Sequence, residues 1–445
     1  MTMKLWDKGI SVNKKIETFT IGQDRELDLH LAPFDVLGTM AHITMLQEVG
    51  LLEKADLEQL LEGLKNIYKE ILSGEFSIEE GIEDVHSQVE LLLTRRLGDV
   101  GKKVHSGRSR NDQVLLDLKL YTRHQIEKVV QVTNNLFQTL QRKSETYKDI
   151  LIPGYTHLQV AMPSSFGLWF GAYAEGLADD MHMLQAAWKV ANQNPLGAAA
   201  GYGSSFPLNR ETTTKLLGFD DLSYNVVYAQ MARGKLERLV SFALASVAQT
   251  VGKLAMDGCL YTSQNFGFLK LPDEFTTGSS IMPHKKNPDV FELIRAHCNK
   301  IQALPQTIGM ITANLPSGYF RDLQLIKEVY IPAFEEMLDC LELTAYAIEN
   351  IEVSKDVMDD KRYTYAFSVE EVNKLVLQGV PFRDAYKQVG LQIEAGDFNP
   401  ERQVAHTHQG SIGNLCNKQI QDKMEKIVTS FNFEHVHEAL KHLVT

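Results

Sequence analysis

Apolar residues recur at steps of three and four after Asp56. Leu57, Leu60, Leu61, Leu64, Ile67, Tyr68, Ile71 and Leu72 all fall on one helix face. Asp56 suits the N-cap of that helix, and Gly74 lies just past its end. A second helical run follows Asn111, from Val114 through Leu140. A third is predicted from Pro163 to about Asn194, with Pro163 and Ser164 suiting its start and Pro195 its stop. The stretch 236–260 is different. Leu239, Val240, Phe242, Leu244, Val247, Val251 and Leu254, with four alanines, cover most of the helix circumference. A helix apolar nearly all round must be buried nearly all round, here in the middle of a bundle that other subunits help to complete. The stretch 323–351 is a further long helical pattern, and Pro332 should kink it. Strand signals are scarce and no strand–helix alternation occurs. The pattern therefore predicts an all-α fold built on a central long-helix bundle.

The chain has 445 residues, 44% hydrophobic and 23% charged, which is an ordinary globular balance. Single cores stop growing at roughly 250–300 residues, so more than one region is expected. We place the boundaries at 1–108 (N-terminal helical domain), 109–358 (central bundle and oligomer core) and 359–445 (C-terminal helical domain). The net charge of −12 argues against a nucleic-acid partner. It does not argue against an anionic substrate, which a few local Arg and Lys can hold. The four cysteines, Cys259, Cys298, Cys340 and Cys416, form no CxxC pair and read as reduced thiols. The N-terminal residues lack the apolar run of a signal peptide. Residues 150–174 carry no charge but are dotted with Pro153, Thr156, His157, Gln159, Pro163 and Ser164. That make-up fits chain buried inside protein better than a membrane span. A cytoplasmic protein with no membrane partner is expected.

Four polar islands interrupt the helical pattern, and function is expected there. The first, 105–113, reads HSGRSRNDQ. Its Arg108 and Arg110 offer planar forks for carboxylates, and a helix start adds free N–H groups. A polar loop with a capping Asn or Asp fits the same residues. The second, 153–163, reads PGYTHLQVAMP, with His157 in a stretch lacking charge. A satisfied core histidine and a proton-transfer group both fit it. The third, 276–292, reads TTGSSIMPHKKNPDVFE and ends on Pro288, which permits a helix carrying Glu292. The fourth, 316–327, reads PSGYFRDLQLIK, where Gln324 and Lys327 share a helix face. Residues 197–205, GAAAGYGSS, look like a phosphate loop but follow no strand and fail GxGxxG. His406 and His408 lack a third ligand to complete a metal set, and a polar C-terminal loop accounts for them.

The third island resembles the fumarase/aspartase superfamily signature GSSxMPxKxNP, matched without a gap from Gly278 to Pro288. The first resembles the HTGRSRNDQV motif of argininosuccinate lyases, with Ser106 in place of Thr. The second is similar to that family's GYTHLQxAQP, departing at Met162. The fourth is similar to its Tyr-x-x-Asp-Leu-Gln-x-x-Lys block, and 379–390 to its GMPFRxAHxxVG. Departures also occur at Leu5–Ile10 (for LWGGRF), at Thr20 (for Ser), at Asn209 (for Asp) and at Tyr386 (for His). The likeness extends over nearly the whole chain.

The resemblance implies an all-α homotetramer whose active sites draw on three subunits. It implies β-elimination of argininosuccinate to arginine and fumarate, with no metal or organic cofactor. It assigns catalysis to Ser279, His157, Lys285 and Glu292. Lys285 and Asn287 would stabilise the enolate-like dianion that forms when the proton leaves. Ser279 and His157 would serve as base and acid. We favour Ser279 as base, with Glu292 orienting His157. Substrate binding falls to Thr20, Ser109, Arg110, Asn111, Thr156, Asn287, Tyr319, Gln324 and Lys327. Another fumarate-releasing lyase, such as adenylosuccinate lyase, and a structural lens-protein relative are the alternatives. Plain and N-acylated argininosuccinate both remain open as substrate.

Overall fold

In the computed structural model, which describes residues 13–278 and 280–445, the apolar runs become helices that pass back and forth along one axis. Before them come α1 (Lys14–Ile21), the single turn Asp24–Leu27, α2 (Ala32–Glu48), α3 (Lys54–Leu72) and α4 (Val85–Leu97). Helix α3 buries the predicted face through Leu57, Leu60, Leu64 and Ile67. It starts earlier than expected, with Glu53 extended before Lys54. Asp56 therefore sits in the first turn, where a carboxylate still favours the helix dipole, and it pairs with Lys103.

Helix α5 (Arg110–Thr146) has 37 residues, so it is about 55 Å long. A hairpin of β1 (Leu151–Thr156) and β2 (Gln159–Ser165) follows, and then α6 (Phe166–Ala191) returns. The helix start predicted at Pro163 is wrong. Pro163 and Ser164 lie opposite Pro153 and Ile152 in the hairpin, and Ser165 is the N-cap, its Oγ accepting from Leu168 N at 3.0 Å. Proline lacks an N–H and can begin a helix or occupy a two-stranded edge equally well. The cross-strand partner decides, and local sequence does not show it. The reading of 150–174 as wholly buried also needs correction. Ile152, Phe166 and Phe170 are buried, but the turn 156–159 is exposed.

The bundle continues with α7 (Lys235–Tyr261), the two-residue strands β3 (Thr277–Gly278) and β4 (Lys286–Asn287), α8 (Asp289–Gln302), α9 (Leu304–Ile311) and α10 (Ile326–Asn350). Helix α10 runs on through Pro332. Side-chain bonds fix the helix directions, with α6 antiparallel to α5 and α10 parallel to it. Near the start of α5, Lys119 Nζ donates to Val190 O at 3.1 Å and Thr122 Oγ1 lies 2.9 Å from the Tyr330 hydroxyl. Near its far end, Ser144 Oγ donates to Gly167 O at 2.7 Å and Arg142 pairs with Glu349 at 2.8 Å. Between them, Asp180 of α6 accepts from Ser246 and Thr250 of α7 at 2.5 and 2.6 Å. Helix α7 is long and apolar enough to cross a membrane by composition. Here Val240, Leu244, Val247, Val251 and Leu254 are buried in the bundle.

The C-terminal part comprises α11 (Ser368–Leu377), α12 (Phe382–Ala395), α13 (Asn417–Val428) and α14 (Phe433–Val444). Helix α14 returns to the bundle, with the rings of Phe433 and Trp188 4.9 Å apart. A contiguous core extends from Leu27 to Leu443, while α11 and α12 share a small one around Val372, Ala385 and Val389.

Candidate active site

These helix directions sort the four islands by position. The first precedes α5 and the fourth precedes α10, so both lie at one end of the bundle. The second follows α5 and the third precedes α8, so both lie at the other end. Their shared end is marked by Tyr155 of the hairpin, whose ring is 5.5 Å from that of Phe266 just after α7.

At the first end, Ser109 opens α5. Its Oγ accepts from Asn111 N at 3.2 Å, and Asp112 Oδ1 accepts from Ser109 N at 2.8 Å, which completes a capping box. The other oxygen of Asp112 accepts from Gly197 N and Ala199 N at 3.1 and 2.8 Å. The amides of the phosphate-loop look-alike therefore serve a carboxylate of this chain. Burial lifts the Asp112 carboxyl to about 6.

Arg110, Asn111, Tyr319, Gln324 and Lys327 line one cavity of about 180 Å³. Arg110 is 3.3 Å from Glu83 and 3.1 Å from Asp84. Arg108 turns inward, with Nη1 donating to Thr39 at 2.9 Å. Lys327 is buried against Asp24 and Asp28, at 2.7 and 2.6 Å. Burial works against its charge, but these two carboxylates more than offset it and raise its pKa. Asp24 goes the other way. Burial outweighs the attraction of Lys327 and lifts its carboxyl to about 6. Gln324 Nε2 donates to the main-chain oxygens of Thr20 and Ile21 at 3.0 and 2.9 Å, and Arg321 adds a bond to Thr20 O at 2.8 Å. The Thr20 hydroxyl is turned back to Ile16 O of its own helix at 3.0 Å. Thr20 thus joins this end of the bundle through its main chain.

At the other end, Thr156 closes β1, and His157 and Leu158 form the two-residue turn with φ of 54° and 57°. Two non-glycine residues in left-handed conformation make a costly turn, of a kind that gathers at functional sites. His157 is exposed and has no hydrogen bond or ion pair among the described residues, so neither a satisfied core histidine nor the expected pairing with Glu292 exists within one chain. In the third island Thr277 pairs with Asn287 across β3 and β4. Lys286 is engaged by Asp273. The Lys285 ammonium has no ion-pair partner among the described residues. Glu292 lies in the first turn of α8 and is exposed. Ser279 and Leu5–Ile10 fall outside the described residues.

A family model described as a lyase matches residues 3–303. The argininosuccinate lyase of Bacteroides fragilis is 67% identical over 444 residues, covering all of this chain and 99% of that protein. The chain belongs to the argininosuccinate lyase family. The Thermotoga neapolitana argininosuccinate lyase is 36% identical over 389 residues, or 87% of this chain and 98% of that one. Among solved structures, an EDDS lyase variant with bound fumarate superposes with a TM-score of 0.78 at 21% identity, covering 98% of this chain and 95% of the other. That likeness bears on the fold, which is all-α around a long-helix bundle.

In this argininosuccinate lyase family member, several cavity residues carry no functional signal in the sequence. Glu83, Asp84 and His86 line the cavity, and so does Arg233, whose guanidinium lies 5.9 Å from the Tyr319 ring centre. The only local signal in Asp84-Val85-His86-Ser87 is a helix cap. Asp84 Oδ1 accepts from Ser87 N at 2.8 Å. Arg233 stands in a loop whose role depends on where α7 and the fourth island meet.

Proposed function

We propose that this protein cleaves argininosuccinate to arginine and fumarate as a homotetramer, with each active site assembled from the two bundle ends of different subunits. The observation that carries this reading is the separation of the islands. The cavity with Arg110, Asn111, Tyr319, Gln324 and Lys327 sits at one end of a helix about 55 Å long. The hairpin with Thr156 and His157 sits at the other. A substrate smaller than a few amino acids cannot touch both within one chain. Subunits packed with their bundles antiparallel bring opposite ends together. Exposed apolar side chains support such packing. Leu239, Phe242 and Met256 lie on the open side of α7, and Leu158, Val160 and Met162 form a row on the hairpin. Large apolar faces of this kind mark contact surfaces.

In the assembled site the substrate's carboxylates meet Lys285 and Asn287 from one subunit and Arg110 and Lys327 from another. Ser279, on the segment between β3 and β4, takes the proton. The carbanion's charge moves onto the adjacent carboxylate, where Lys285 stabilises it. His157, oriented by Glu292 of another chain, orients the substrate or protonates the departing guanidino nitrogen. The reaction needs no group beyond these side chains. The protein works in the cytoplasm.

The test is the rise of fumarate absorbance on mixing purified protein with argininosuccinate and, separately, with adenylosuccinate. Turnover of the first alone is expected. Turnover of adenylosuccinate alone, or of neither, overturns the reading. Light scattering should give four times the 50.2 kDa chain, and an active monomer would refute the shared site.

A further inference from the structure

His86 stands at the wall of the cavity with its ring almost fully enclosed. Nδ1 lies 2.7 Å from Asp35 Oδ1, and Asp117 Oδ2 is 3.5 Å away on the same side. Its other nitrogen, Nε2, has no hydrogen-bond partner among the described residues and is not sealed off from the cavity. The two cations assigned to the substrate above, Lys327 and Arg110, share their charge with carboxylates of the chain itself. Lys327 holds Asp24 and Asp28, and Arg110 holds Glu83 and Asp84.

The geometry points to His86 as a substrate-binding cation, an imidazolium held from behind by Asp35 and Asp117 that offers Nε2–H to a carboxylate of the substrate. This inference rests on the proposed lyase function and adds a contact to its site. The charges around the ring favour the protonated form. Asp35 faces it from α2, Asp117 from α5 and Asp84 from the start of α4. Arg108 and Arg110 are the nearby cations, and Arg108 is itself attracted by Asp35 and Asp117. His105 is neutral, because burial and the two arginines lower its pKa to about 4. Burial alone would strip the proton from His86, but the three carboxylates override it and lift the pKa to about 9. Asp35, His86 and Asp117 also place their polar atoms close enough to hold a metal ion. A protonated imidazole has no lone pair to give, so the same three residues serve as an ion-paired donor. The arrangement resembles the carboxylate–histidine pairs that fix one ring nitrogen in order to direct the other.

The experiment measures competitive inhibition of argininosuccinate cleavage from pH 7 to 10 by two probes, fumarate and 5-guanidinopentanoate. Each carries a carboxylate, and neither titrates in that range. For the probe whose carboxylate meets His86, the inhibition constant of the wild type should be flat to about pH 8.5 and rise roughly tenfold per pH unit well above 9, as one required proton is lost. Which probe shows the step tells whether the fumarate half or the arginine half is bound. His86→Gln should raise that constant at pH 7 to the alkaline level and abolish the step. Asp35→Asn should shift the step to lower pH, a change that a purely structural role for His86 would not produce. Constants that stay flat for both probes in the wild type overturn the inference, and so does a step that survives in His86→Gln or stays in place in Asp35→Asn. If the wild type fails to cleave argininosuccinate at all, the lyase reading falls first.

Discussion

The ammonium of Lys327 lies 2.6 Å from Oδ1 of Asp28, and both side chains are almost completely buried. The pair ties α10 to the N-terminal segment and so holds two walls of the cavity together. Asp24 joins it at 2.7 Å. Removing one partner of a buried ion pair is costly because the other charge stays behind unpaired.

Lys327→Met is therefore expected to lower stability by about 3 kcal/mol at pH 7. It leaves Asp24 and Asp28 facing one another. Asp24, already lifted to about 6 by burial, should then take up a proton readily. Urea denaturation at pH 5 should accordingly show a smaller loss than at pH 7. An equal loss at both would mean that charge does not govern the effect.

The stability of the wild type should fall on the alkaline side because of His86. Its folded pKa of about 9 exceeds the ordinary 6.5. The contribution is fully present below the unfolded value and is lost as pH rises through the folded one. Between roughly pH 6.5 and 9 the slope is at most about 1.4 kcal/mol per pH unit. Denaturation midpoints across this window, compared with those of His86→Gln, isolate the term. The variant should show the shallower slope.

Two adjacent lysines should behave differently. Lys286 is held by Asp273, whereas Lys285 carries no ion pair among the described residues. Lys285→Met should reduce kcat at least about 100-fold, or about 2.7 kcal/mol, while Lys286→Met should leave most of it. Equal, mild losses would reduce Lys285 to general attraction of an anionic substrate.

Ser279→Ala should nearly abolish turnover while substrate affinity and fold persist, because the hydroxyl acts mainly in the transition state. If more than about a tenth of kcat remains, a loss below about 1.4 kcal/mol, Ser279 is not the base.

Two inactive variants from opposite bundle ends should rescue one another. His157→Asn and Asn111→Leu, unfolded together and refolded, should yield activity that neither has alone, since some mixed tetramers contain a site with both ends intact. Persistent inactivity in tetramers shown to be mixed would argue that each chain builds its own site.

The long helices of the bundle and the candidate chemistry were legible along the chain. Period-3.6 patterning placed α3 and α7 to within about three residues and found α5, which extends four residues before the expected Val114 and six beyond Leu140, because an amphipathic or wholly apolar stripe is a local property of the chain. The polar islands marked the candidate residues, and the superfamily signature from Gly278 to Pro288 fixed the reaction class. Tertiary structure alone decided what those residues meet. Pro163 reads as a helix start until its partner Pro153 is known, since a cross-strand pair is written in two places at once. His86 drew no notice beside a helix cap, because Asp35 and Asp117 come to it from residues 51 and 31 positions away. The length of α5 then set His157 and Arg110 at opposite ends of the bundle, a separation that no local stretch of sequence records and from which the proposal of a site shared between chains starts.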